Sequence, residues 1–181
     1  MERRDAVRLI GTLAAMPFIP RSAETAFAHG ERAHLRVQHT GAGFRTFNGP
    51  QQAAVTEIAE MIMPRTDTPG ATDVGVAQFM DFIMTEWATD EDRASFLRGL
   101  QDIDDRANAR GGVIFVRLSA DAKIELLQSL DLLRKDRTGA GYAFAQLKSL
   151  TAYGYFTSER VQKEVLKTRM FFTAFEPDVP V

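Results

Sequence analysis

The 181-residue chain has no cysteine. That absence excludes disulfides, thiol nucleophiles, thiolate zinc sites and covalent haem attachment. Histidine is almost as scarce: His29, His34 and His39 are the three copies. Their five-residue spacing sets neighbours about 140° apart on a helix and on opposite faces of a strand, so one metal does not readily see all three. Charge of neither sign dominates, and a net of −2 makes no electrostatic case for nucleic acid. There is no Gly-rich phosphate loop after a strand, no dinucleotide fingerprint, no GxSxG elbow and no HExxH pair. With every histidine ahead of residue 48, general acid–base work by histidine within the later helical region is excluded as well. What the chain does have is apolar substance. Hydrophobic residues make up 45% and charged residues 25%, enough for one core and too much for global disorder.

The N-terminus reads as a leader. Arg3, Arg4 and Arg8 precede an apolar stretch, Leu9 to Ile19, and a polar segment then ends in Ala26-Phe27-Ala28, an A-x-A cleavage pattern. The stretch is roughly half the ~20 residues that cross a bilayer. Arg3-Arg4-Asp5-Ala6-Val7-Arg8 resembles a twin-arginine export signal, and Gly11 and Thr12 give the modest hydrophobicity that suits that route. The expected division is a signal peptide over 1–28, a solvated Gly/His/Arg linker over 29–47, a helical domain over 48–166 and an aromatic tail over 167–181.

The stretch from Met61 to Met84 organises the helical part. Asn48-Gly49-Pro50 opens a first helix with Val55, Ile58, Ala59 and Ile62 on one face. Pro64 stops it. Thr66, Asp67 and Thr68 favour turns, Pro69-Gly70 is a turn dipeptide, and Thr72 or Asp73 can cap the next helix. That second helix, Val74 to Ala88, carries a broad apolar stripe ending at Trp87. Thr89 with Asp92 opens a third helix, whose Asp102, Asp104 and Asp105 read as a solvated face and whose end is set by Gly111-Gly112. Val113 to Leu118 is strand-like but has no pairing mate, so it is read as a packed connector. Ser119 caps a fourth helix with Ile124, Leu127, Leu130 and Leu133 on its face and Lys123 outside. A fifth spans Tyr142 to Tyr153. Gly154 to Glu159 forms a second corner, leading to a short last helix. Phe171, Phe172 and Phe175 stand on a tail with Pro177 and Pro180, a composition suited to docking. The expected fold is all-α, an irregular bundle of about six helices.

Two of these stretches carry a resemblance. Met63-Pro64, Thr66-Asp67-Thr68-Pro69-Gly70-Ala71 and Gly75-Val76 resemble the signature corner of the gluconate 2-dehydrogenase subunit 3 family, and Gly154-Tyr155-Phe156-Thr157-Ser158-Glu159 resembles its second signature. The resemblance covers roughly residues 48–166. It implies a non-catalytic small subunit, without a cofactor or metal of its own. Its partner is a large flavin subunit of the glucose–methanol–choline type that holds FAD and oxidises a sugar (gluconate, glucose or a glucoside at C3). A cytochrome c commonly takes the electrons. Small subunits of this kind stabilise the flavin subunit and escort it, folded, through twin-arginine export to the periplasm. The short, aromatic, cysteine-free tail departs from members with longer Gly/Pro-rich ends. The expected interface residues are Asp67, Pro69, Gly70, Trp87, Tyr155, Phe156, Phe171, Phe172 and Phe175, with Arg3 and Arg4 as the export signal. The rival expectation is a free-standing exported enzyme or ligand-binding helical domain that uses the third-helix carboxylates or a pocket beneath Trp87.

Overall fold

The computed structural model describes residues 23–40, 43–133 and 138–167. Among them the chain is all-α, with seven α-helices and no strand. In order they are α1 (Ala23–Thr40), α2 (Gly49–Ile62), α3 (Val76–Glu86), α4 (Asp90–Gly111), α5 (Ala120–Leu132), α6 (Gly139–Thr157) and α7 (Glu159–Glu164), with 3-10 turns at Thr72–Val74 and Phe115–Arg117. No described helix is long and apolar enough to cross a membrane.

Local chemistry accounts for most of the boundaries. Asn48 caps α2 in a full capping box with Gln51, and Pro50 lies in the first turn. Thr89, Ser119 and Ser158 cap α4, α5 and α7 through their hydroxyls. Gly112 ends α4 at φ 68°, the left-handed geometry expected of the Gly111-Gly112 pair. The strand-like run after it contains the second 3-10 turn, with Phe115 buried.

Helix α6 is the axis of the bundle. It is buried on nearly every side from Ala140 to Thr157, and α1, α2, α3, α4, α5 and α7 all pack against it. A helix apolar all round belongs in the middle of a core. Phe79, Tyr153, Phe96, Phe115 and Phe156 are its largest fully buried side chains.

Several expectations are corrected here. Residues 29–40 are not part of a solvated linker, because α1 runs to Thr40 and packs on α3 and α6, and the amides of residues 45–47 are held by Asp81. The inner face of α1 is built from small residues, Ala26, Gly30 and Ala33 with His34, spaced at three and four. Small side chains bury little area each, so the stripe is weak as a hydropathy signal. Gly154 is not a corner either: α6 continues through it and the turn falls at Ser158. Neither Thr72 nor Asp73 caps the second helix. They form the 3-10 turn, and Gly75, at φ 67°, precedes α3. On α5 the expected face holds at Leu127 and Leu130 but not at Ile124 and Leu133. Lys123, Leu126, Leu127 and Leu130 face inward, while Ile124 is 45% exposed. Lys123 is accommodated because its Nζ donates to Glu57 Oε1 at 2.5 Å and to the Val116 carbonyl at 2.9 Å.

Asp102 and Asp104 are not simply a solvated face. Asp102 Oδ2 accepts the Ala140 amide at 2.7 Å, at the N-terminal end of α6, and Asp104 Oδ1 accepts the Phe115 amide at 2.9 Å. A carboxylate at a helix N-terminus is favoured by the orphan amides and the helix dipole there.

Candidate functional site

The two motif stretches meet in the fold through Tyr155 and Pro69, 86 residues apart. Tyr155 Oη, on α6, donates to the Pro69 carbonyl at 2.8 Å in a buried setting. The corner between α2 and α3 is held from three further directions. Glu60, from the last turn of α2, accepts the Arg65 amide at 2.9 Å and the Thr72 amide at 2.8 Å. Burial acts against the Glu60 carboxylate, but the Thr72 and Arg65 amides and the Arg65 charge outweigh it and hold the carboxyl below its usual range. Asp73 accepts the Gly70 amide at 2.8 Å and pairs with Arg65. The Ala71 amide closes the loop on the Met63 carbonyl at 2.8 Å. Gly70 leaves no room for a side chain: a Cβ there would stand 2.7 Å from Glu60 Oε2 and 2.8 Å from the Arg65 amide.

This geometry sorts the expected interface residues. Pro69, Gly70, Tyr155 and Phe156 are buried, so they shape the corner and do not present a surface. Tyr155 and Phe156 are in edge-to-face contact, ring centroids 5.2 Å apart. Asp67 is exposed at the crest beside Pro64, Arg65 and Thr66, and accepts the Thr66 hydroxyl at 2.9 Å. Trp87, just past α3, is half-buried against His29 (centroids 4.7 Å) and Phe82 (6.0 Å). Arg3, Arg4, Phe171, Phe172 and Phe175 lie outside the described residues.

Three polar anchors went unnoticed in the sequence. Asp81 is buried on α3 and accepts three backbone amides: Arg45 at 2.7 Å, Thr46 at 2.9 Å and Phe47 at 2.7 Å. It thereby seats the segment entering α2. The signal was available, since an acid between Met80 and Phe82, in step with Ala77 and Met84, sits within the apolar stripe. His34 is the second. Its Nε2 donates to the Gly154 carbonyl at 2.7 Å and its ring stacks on Phe79, centroids 4.5 Å apart. Burial holds this imidazole down at about 4, with the Gly154 bond opposing, so it is neutral near pH 7. Tyr153 is the third, donating to the Ala26 carbonyl at 2.7 Å, with burial pushing its phenol up.

These polar groups point at backbone and do not converge on a vacancy. Among the described residues no group of three or more His, Asp or Glu is placed to hold a metal ion. An open groove of about 550 Å³ runs along α2 and is lined by Phe44, Gln52, Thr56, Glu57, Glu60 and Thr72; Glu57 accepts from Lys123 Nζ and Glu60 from the Arg65 and Thr72 amides.

The family model of gluconate 2-dehydrogenase subunit 3 matches residues 50–172. The chain belongs to that family. The matched span begins in the first turn of α2, contains both motif stretches and passes the end of α7; α1 lies ahead of it. Comparison with curated proteins and with solved structures returned no match. The family is that of a small subunit of a dehydrogenase complex. The corner joined by Tyr155 and Pro69, where the two motif stretches meet, lies inside the matched span.

Proposed function

We propose that this chain is the non-catalytic small subunit of a periplasmic FAD-dependent sugar or glucoside dehydrogenase. It stabilises a separate flavin subunit and escorts it through twin-arginine export; a cytochrome c is the electron acceptor. FAD belongs to the partner. The observation that carries this reading is the family match over residues 50–172. Two features of the fold support it. Asp81, Asp102 and Asp104, the carboxylates set into or beside the core, each accept backbone amides. The corner is rigidly braced and raises the exposed crest Pro64–Asp67. Of the third-helix carboxylates that the rival reading as a free-standing enzyme would use, Asp102 and Asp104 accept backbone amides and Asp105 accepts from the Gln101 side chain.

The test is co-expression with a tagged flavin subunit from the neighbouring reading frame. The two chains should co-purify with FAD absorbance, and leaving out this chain should remove the flavoprotein from the soluble fraction. A flavin subunit that folds, exports and turns over sugar by itself would overturn the proposal. Replacing Arg3-Arg4 by Lys-Lys should hold both chains in the cytoplasm; unchanged export removes the escort role. Asp67→Ala, at the exposed crest, should weaken co-purification without changing the Tm of the small subunit.

A further inference from the structure

We propose that α1 is a permanent part of the folded subunit, so that Ala26-Phe27-Ala28 is a structural seam and not the point where a leader is removed. The proposal rests on the export reading only for the existence of a leader. Its ground is the packing of α1. Cleavage after Ala28 would cut this helix six residues from its start. Ala26 is 1% exposed, and its carbonyl is the acceptor for Tyr153 Oη, on the central helix. Phe27 packs against the core. One turn further on, Gly30 lies so close to α6 that a Cβ would stand 2.6 Å from the Thr157 side chain. Glu31 is hydrogen-bonded by Gln162 of α7, and His34 donates to Gly154. The pattern is therefore flanked on the inner face by a continuous set of contacts to α6 and α7.

Two physical consequences follow. A peptidase takes its substrate as an extended, exposed segment, and a docked helix presents that only after local unwinding. Cutting there would also remove the acceptor of a buried phenol and leave its hydroxyl without a partner. The twin-arginine route carries folded cargo. A folded chain would therefore reach the periplasmic face with α1 docked and this pattern closed. Any processing then falls N-terminal of Ala23.

The experiment has two arms. In the first, the full chain with a C-terminal tag is expressed in a host with active twin-arginine export, fractionated and weighed intact. A periplasmic chain that begins at or before Ala23 is expected; one that begins at His29 overturns the proposal. A chain confined to the cytoplasm counts against the export reading instead, and the second arm then decides. There, purified full-length chain is incubated with leader peptidase in detergent micelles. Native wild type should resist. Tyr153→Phe, which removes only the hydroxyl, and Gly30→Val, which forces α1 off Thr157, should be cut after Ala28 at least about tenfold faster, as expected when local opening governs cleavage. Native wild type cut at the rate of the variants overturns the proposal. Resistance of all three shows that the pattern is no peptidase site and leaves α1 retained.

Discussion

Tyr155→Phe isolates the bond that joins the two signatures. The ring stays, so packing against Phe156 is kept and no cavity forms. What goes is one hydroxyl donating at 2.8 Å to the Pro69 carbonyl. A neutral hydrogen bond contributes about 0.5–1.5 kcal/mol net, and a buried acceptor left unpaired costs about 1–3 kcal/mol. Tyr155 is 5% exposed and Pro69 is buried, so the upper part of the range applies and about 2 kcal/mol is expected. At about 2–4 °C per kcal/mol for a domain of this size, the Tm should fall by about 4–8 °C. The loss should be local first. The amides of Ala71 and Gly70, held by Met63 and Asp73, should exchange faster, while those in the middle of α4 should not. Thermal unfolding and hydrogen exchange on the same two proteins measure both effects. A Tm within 1 °C of wild type, with unchanged exchange in the corner (a shift below about 0.5 kcal/mol), refutes the claim that this bond braces the loop.

Other substitutions test other joints. Asp81→Asn keeps an acceptor for Thr46 and Phe47 but turns an NH2 toward the Arg45 amide; a loss of about 2–3 kcal/mol is expected by urea unfolding. For His34 the folded value, about 4, lies below the usual 6.5, so the unfolded chain takes the proton first. Its contribution is full above pH 6.5 and is lost as pH falls toward 4, by up to about 3 kcal/mol. Glu31, raised by burial, pushes the other way at the acid end, so the readout is wild type minus His34→Gln in urea melts across that window. A flat difference would remove His34 from the acid sensitivity. On α5, Ile124→Ala should stay within about 0.5 kcal/mol while Leu130→Ala loses about 2–4 kcal/mol. Equal losses would restore the face read from the periodicity.

Which features were legible in the sequence follows from how far each interaction reaches along the chain. The caps at Asn48, Thr89, Ser119 and Ser158 act within four residues, and each is where the residue types put it. The same holds for the stop at Pro64, the left-handed Gly112 and the all-α class. The α5 face was misjudged because two faces one residue apart share Leu127 and Leu130, and Lys123 reads as polar until Glu57 is placed beside it. Helix α1 is hard to see in the sequence because its inner face is built from small residues, while Leu35, a large apolar residue, is exposed on the other side. The corner was recognised as a turn, but its bracing by Tyr155 spans 86 residues and leaves no local trace.

The amino-acid sequence by itself determined the all-α class, most of the helices from α2 onward with their caps, the turn at Pro69-Gly70, the absence of thiol chemistry and, through two motifs in order, the resemblance to the family. These depend on backbone preferences and neighbours a turn away. The tertiary structure alone decided that the two motifs meet at one corner, that Tyr155 and Phe156 are internal, and that residues 23–40 form a helix packed on α3 and α6. Those outcomes rest on close contacts and on hydrogen bonds to distant backbone carbonyls. Every residue has a carbonyl, so no side-chain pattern reveals which one a buried hydroxyl or imidazole will find.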